Sequence, residues 1–205
     1  MTLLDLGERR LVLASASPRR SELLRSVGLD FEIIPADIDE SVLPGEEPSD
    51  YVARLSRRKA AVVAAGTSDA IVVAADTTVD VDGQILEKPV DEDDARRMLG
   101  LLSGRSHLVH TGVTVARLPE TRAPGAATMV VESAVTFVEL TDRGVEWYLS
   151  TGEHLGKAGA YGIQGAAAAF VERIDGSVTN VIGLPLVETL ALIAAEPPNP
   201  AGIDA

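Results

Sequence analysis

The chain has 205 residues, 46% of them hydrophobic and 24% charged, a formal net charge of −13 and no cysteine. Those figures describe an ordinary globular chain of one domain or two small lobes, and they exclude a disulfide framework, a thiolate metal site and a cysteine nucleophile. So negative a field repels nucleic-acid backbones, so no nucleic-acid partner is expected, and any anionic small molecule must be met by a local basic cluster. Asp5, Glu8, Arg9 and Arg10 interrupt any apolar run at the N-terminus, and no stretch reaches the roughly 18 apolar residues a membrane span needs. A cytoplasmic protein with no membrane partner is the expectation.

In chain order, residues 10–15 (RLVLAS) suit a short buried strand. The pattern then turns amphipathic, with Ser17 as N-cap, Pro18 at the first helical position and Gly28 as the stop. Residues 31–35 read as a strand and 37–48, rich in acids with Gly45 and two prolines, as an exposed loop. Ser49 is the expected cap of a second helix running to Ala65, with Val52, Leu55, Val62 and Val63 inward. Lys59 falls inside that stripe, where an ammonium must either snorkel out or meet an anion.

Residues 70–75 (AIVVAA) predict a strand buried on both faces and ending at Asp76. Segments 78–81 and 84–87 around Asp82-Gly83 predict a hairpin. Asp91 caps a third helix with Ala95, Met98, Leu99 and Leu102 inward and Gly104 beyond it. Long strands are expected at 107–118 and 130–140, joined by a Pro/Gly/Ala-rich connection over 119–128. A helix follows over 141–150, a second hairpin around Asp175-Gly176, and a last helix over 186–195. Residues 1–196 are expected to form one domain and 197–205 a disordered tail. The fold class is α/β (α+β) with a mixed sheet flanked by helices.

Four places carry chemistry. Ser15-Ala16-Ser17-Pro18-Arg19-Arg20 sits at a strand-to-helix turn. Arginines in a first helical turn are disfavoured by roughly 0.3–1 kcal/mol each. The arrangement suits a phosphate docked on the helix end; two solvated arginines are the alternative. Asp76, at the end of a buried strand, suits a metal ligand or general base, against a plain turn cap. Lys88 follows the first hairpin, which returns it towards Asp76, as a phosphate ligand or a protective edge lysine. Residues 156–165 (GKAGAYGIQG) place four glycines three apart around Gln164, whose amide can read a base edge; a mobile loop is the alternative. No GxxxxGK[ST] and no GxGxxG occurs, and His107, His110 and His154 make no zinc pattern, so they are taken as structural or surface residues.

SASPRR, ADIDE (residues 36–40), RLSRRKA (54–60), AADTTV, ILEKP, LSGRSHLVHTGV, GKAGAYGIQG and NVIGLPL follow one another in order. With them the sequence resembles the Maf (septum formation inhibitor-like) nucleotide pyrophosphatases, from about Leu11 to Ile193. The resemblance implies a two-lobed mixed α/β fold with a cleft, similar to inosine triphosphate pyrophosphatases. It also implies hydrolysis of a nucleoside triphosphate to the monophosphate and pyrophosphate with a divalent metal, Mg²⁺ or Mn²⁺, by a homodimer. On that resemblance Asp76 is the general base, with Glu40, Lys59 and Lys88 completing the catalytic group and Asp76 and Glu40 holding the metal. Ser15, Ser17, Arg19 and Arg20 would bind phosphate. Arg19, Thr77 and Gln164 match the specificity positions of the dTTP/UTP-selective branch rather than the 7-methyl-GTP branch. A nucleotide-binding regulator of septum formation without turnover is the rival reading.

Overall fold

The computed structural model describes residues 4, 6, 9–118 and 125–195. The expected tail at 197–205 and most of the 119–128 connection lie outside them. The strands are β1 (Arg10–Leu13), β2 (Glu32–Ile33), β3 (Ala70–Val81), β4 (Gln84–Leu86), β5 (Ser106–Leu118), β6 (Gly125–Phe137) and β7 (Val171–Asp175). The α-helices are α1 (Pro18–Ser26), α2 (Pro48–Ala65), α3 (Glu92–Leu102), α4 (Asp142–Ser150), α5 (Val178–Ile182) and α6 (Leu186–Ala194). One seven-stranded mixed sheet has the order β2-β1-β3-β5-β6-β7, with β4 on the outer edge of β3; β1 is parallel to β2 and β3, and the other pairings are antiparallel.

Strand β3 organises both lobes. Its even residues Ala70, Val72 and Ala74 pack with Val12, Ala14, Ala60 and Val63, beneath α2. Its odd residues Ile71, Val73 and Ala75 pack with Leu23 and Leu24 of α1 and Ile193 of α6. Farther along, Val79 and Val81 join a second core built on α3, α4, Phe137 and Phe170. Period-two alternation thus sends successive side chains of one strand into different layers.

The sequence misplaced several boundaries, each for a local reason. β3 does not stop at Asp76: β5 pairs with it from Ala70↔Leu118 to Asp80↔Leu108, and the β-branched run Thr77-Thr78-Val79 continues the pleat. Its hairpin into β4 is as expected, Asp82 and Gly83 both taking positive φ (54° and 81°). The Asp175-Gly176 hairpin is not formed. Instead the Ser177 hydroxyl accepts the Asn180 N–H at 3.2 Å and starts α5, which Asn180 pins by donating to the Val109 carbonyl at 3.0 Å. Helix α2 begins at Pro48 with Glu47 at the cap position, not at Ser49, because proline supplies the first helical φ. Val62, expected inside, is 50% exposed; Val63 and Ala60 face the sheet. Strand β6 begins at Gly125, inside the expected connection, and ends at Phe137.

All three histidines are buried. His107 Nε2 meets the Tyr161 hydroxyl at 2.7 Å and its ring lies edge-on to Phe137. Burial, reinforced by the Arg105 charge, pushes the imidazole down to about 4. In an unfolded chain it titrates near ~6.5, so between those values the unfolded state binds a proton that the fold refuses. Stability is therefore full above about pH 6.5 and declines as the pH falls towards 4, by roughly 3 kcal/mol for a shift of this size. Urea unfolding at pH 7 and pH 4.5 should show that decline in the wild type and a flatter profile in His107→Gln. Parallel profiles for the two proteins would contradict it.

Candidate active site

A gap in the sheet edge makes the cleft. β1 pairs with β3 only as far as Leu13↔Val73, where Ala14 N–H donates to the Val73 carbonyl at 2.8 Å, and β4 pairs from Val79↔Leu86 onward. Residues 74–78 have no strand on that edge. The opening, about 560 Å³, is walled by the end of β1, the start of α1, the middle of β3, the segment after β4 and the glycine-rich loop. Ser15, Ser17, Arg19, Arg20, Glu40, Lys59, Asp76, Thr77, Lys88 and Gln164 all line it. The side chains singled out in the sequence therefore face one space.

Its centre is an ion cluster. Lys59 Nζ lies 2.6 Å from Asp76 Oδ1 and 2.6 Å from Glu40 Oε1, while Lys88 Nζ reaches Glu40 Oε2 at 3.1 Å. Lys59 and Asp76 are buried and Lys88 is exposed, its side chain lying at the cleft mouth. Burial alone pushes the Glu40 carboxyl up, but the hydrogen bonds and charges of Lys59 and Lys88 outweigh it and hold the group below its ordinary value. Glu40 arrives from the acidic loop, which folds back on α2. There Tyr51 Oη donates to the Glu40 carbonyl at 3.0 Å, Arg54 to the Ser41 carbonyl at 3.0 Å and Arg58 to the Asp39 carbonyl at 3.0 Å.

On the opposite face of β3, Arg20 is already committed. Its Nε donates to the Gly183 carbonyl at 2.8 Å and its terminal nitrogens to Ser15 Oγ at 3.0 Å and Thr77 Oγ1 at 3.1 Å. Burial pushes its pKa down, and the charges of Asp76 and Glu40 push back. Thr77 Oγ1 also meets Thr111 Oγ1 at 2.9 Å, and Thr111 donates to the Asn180 carbonyl at 3.1 Å. Arg20 thus ties α1, β3 and the turn after α5 together while keeping its charge at the cleft. Helix α1 opens on the same space with no acidic residue in its first turn and no hydrogen bond from the Ser17 hydroxyl to its backbone, unlike α3, which carries three acids there.

The glycine-rich loop closes the far wall, with a short 3₁₀ turn inside it at residues 158–160 and another just after it at 166–170. Gly159 (φ 65°) donates its N–H to the Glu87 carbonyl at 3.2 Å, and a Cβ there would sit 2.9 Å from Val79 Cγ2. That contact clips the loop bearing Gln164 to the segment bearing Lys88. Sequence reasoning passed over Tyr51, Lys157 and Glu87, which also line the cleft. Tyr51 had a usable signal, an aromatic on the inner stripe of α2 in a chain only 3% aromatic.

A profile described as "Maf-like protein" matches residues 10–196. The chain belongs to the Maf family. Among Maf relatives, the dTTP/UTP pyrophosphatase of Anaeromyxobacter dehalogenans (strain 2CP-1 / ATCC BAA-258) is 55% identical over 185 residues, covering 90% of this chain and 92% of that protein. The dTTP/UTP pyrophosphatase of Hahella chejuensis (strain KCTC 2396) is 50% identical over 190 residues, 91% and 92% of the two chains. Among solved structures, a HAM1 protein from Coxiella burnetii aligns with 91% of this Maf chain and 100% of its own at 15% identity and a TM-score of 0.43. Within the described residues of this Maf chain, no helix is long and apolar enough to cross a membrane.

The carboxylates of Asp76 and Glu40 offer a cation oxygen donors only, drawn together by one ammonium. Among the described residues no third His, Cys, Asp or Glu joins them. Such a pair suits a hard ion of the Mg²⁺ or Mn²⁺ kind, which takes one or two carboxylates and fills its shell with phosphate oxygens and water.

Proposed function

We propose that this chain hydrolyses dTTP and UTP to the nucleoside monophosphate and pyrophosphate. The observation that carries the reading is the Glu40–Lys59–Asp76 cluster, two carboxylates held at 2.6 Å from one buried ammonium in a cleft that Arg19, Arg20, Lys88, Lys157 and the start of α1 also line. The choice of base is supported by similarity to relatives that bear those substrates in their names.

In this mechanism Asp76 orients a water and takes its proton as the oxygen bonds to the α-phosphorus and the bond to the bridging oxygen breaks. Lys59, Lys88, Arg19 and Arg20 offset the charge that develops on the departing pyrophosphate, so positioning and electrostatics supply most of the rate. Ser15, Ser17 and the first-turn N–H groups of α1 hold phosphate oxygens. Thr77 and Gln164 face the base. Asp76 and Glu40 would hold the divalent ion, whose charge neutralises phosphate oxygens and lowers the pKa of a bound water. The same reading makes the working unit a homodimer in the cytoplasm, and that part rests on the family alone.

Asp76→Asn keeps the shape of the side chain and removes the base. It is expected to lower pyrophosphate release by a factor of roughly 10²–10⁴ while leaving the melting temperature within a few degrees of the wild type. Undiminished turnover in that variant would remove Asp76 from the reaction. Nucleotide binding by the wild type without any pyrophosphate release would instead favour a regulator.

A further inference from the structure

Most of the cleft's cations have their partners in the fold. Lys59 and Lys88 are paired with Glu40, and all three donor positions of Arg20 that face protein are taken by neutral oxygens. Arg19 and Lys157 are different. Both line the cleft and both are half-buried, yet neither forms a salt bridge with any described residue. Burial pushes the Lys157 ammonium down and the neighbouring Arg19 charge pushes it further, so the two cations feel one another. Arg19 is likewise lowered by burial. Glu22 offsets part of this at Arg19 and Glu153 part of it at Lys157, yet burial prevails at both, and in a protein of net charge −13 two half-buried cations that repel one another favour the arrival of an anion.

Lys157 is also held in place rather than loose. Its Nζ donates to the Glu153 carbonyl, and its stem lies along Gly162, where a Cβ would come within 2.9 Å of Lys157 Cδ. The Glu153 carboxylate in turn accepts the Ala166 N–H at 2.8 Å, passing so close to Gly165 that a Cβ there would lie 2.2 Å from Glu153 Oε2. Glu153 therefore braces both ends of the glycine-rich loop, and the loop carries Lys157 to the cleft wall near Arg19.

We propose that Lys157 and Arg19 form an anion subsite for the terminal phosphates of the triphosphate, the part that leaves as pyrophosphate. The claim deepens the pyrophosphatase reading and names a substrate-binding residue, Lys157, outside the Asp76 cluster. A lysine binds phosphate as a point charge without needing a fixed fork, so arginine at this position should retain much of the effect and a neutral side chain should not.

The test is binding of inorganic tripolyphosphate, which has no base and no ribose, to the full chain by calorimetry, alongside steady-state kinetics. Lys157→Gln should weaken tripolyphosphate at least tenfold and raise KM for the nucleotide more than it lowers kcat, while Lys157→Arg stays within about threefold of the wild type. Arg19→Gln, which removes no side-chain hydrogen bond among the described residues, should weaken tripolyphosphate similarly and guards against loss through a disturbed loop. If Lys157→Gln binds tripolyphosphate as the wild type does, the subsite is wrong. It is equally wrong if that variant changes only the preference among bases. If tripolyphosphate binding depends on Lys157 but the wild type hydrolyses no nucleotide, the subsite stands and the hydrolase reading falls.

Discussion

Gly112→Ala is expected to be the most damaging single methyl group that can be added to this protein. Gly112 sits on β5 directly opposite Asp76, and α2 crosses the sheet there so closely that a Cβ would lie 2.3 Å from the Val52 carbonyl oxygen and 2.6 Å from its carbon. Those are helix backbone atoms, which cannot rotate away as a side-chain tip can. Ordinary overpacking costs about 1–3 kcal/mol, and here the only relief is to lift α2, which carries Lys59 two turns farther along, off the sheet. A loss of about 3 kcal/mol or more in urea unfolding, with turnover falling even in the fraction that folds, is the expected result. Gly100→Ala is the control: it lies on the exposed side of α3 with nothing within 4 Å of its added carbon, and should be neutral or stabilising by up to about 1 kcal/mol. Equal effects at the two positions would show that the close approach at Gly112 has no energetic consequence.

Lys59→Met should separate the cost of the ion cluster from its use. The methionine fills the space left by the lysine stem, but Asp76 and Glu40 then face one another without the ammonium that stood 2.6 Å from each. Removing one partner from a buried pair costs roughly 3–5 kcal/mol because the remaining charge is uncompensated. Burial pushes the Glu40 carboxyl up and, with Lys59 gone, only Lys88 still holds it down, so its pKa in the variant rises from the depressed wild-type value. The wild type keeps stability from its depressed Glu40 carboxyl above the unfolded pKa and loses it as the pH falls, so the deficit of the variant should shrink as the pH falls from 7 towards 4. Turnover should be lost throughout, since the ammonium that holds the two carboxylates together is gone. Adding Asp76→Asn to Lys59→Met should restore much of the stability and none of the activity. A Lys59→Met protein as stable as the wild type at pH 7 would mean that solvent, rather than Lys59, compensates the two carboxylates.

How far these features could be read in advance depended on whether the relevant contact is local. The apolar run 70–75 announces a buried strand by itself and Asp82-Gly83 marks 78–81 as one arm of a hairpin, whereas the continuity of the two through Asp76 and Thr77 shows only once β5 is seen to pair along the whole length. Asp175-Gly176 carries the local mark of a hairpin, yet Ser177 and Asn180 settle the matter through bonds to α5 and to β5, far away in sequence. The need for an anion at Lys59 could be inferred from its place on the stripe of α2. That Glu40 would be one of its two partners could not, because the acidic loop is folded back by Tyr51, Arg54 and Arg58, side chains that gave no sign of their acceptors. Lys157 was passed over in a glycine-rich run where only Gln164 was singled out, with a mobile loop as the alternative, and the brace from Glu153 makes its position definite.

Asp76 and Thr77 are successive residues whose side chains leave β3 on opposite faces, one to Lys59 and the other to Arg20. A change at 77 therefore reaches Arg20 and the contacts it ties together without touching the Asp76–Lys59 pair on the face opposite. The same geometry forbids sliding. Displacing β3 by one position against β5 would exchange the two roles and break all eleven cross-strand pairings at once, which anchors the chemistry to the alignment of two strands.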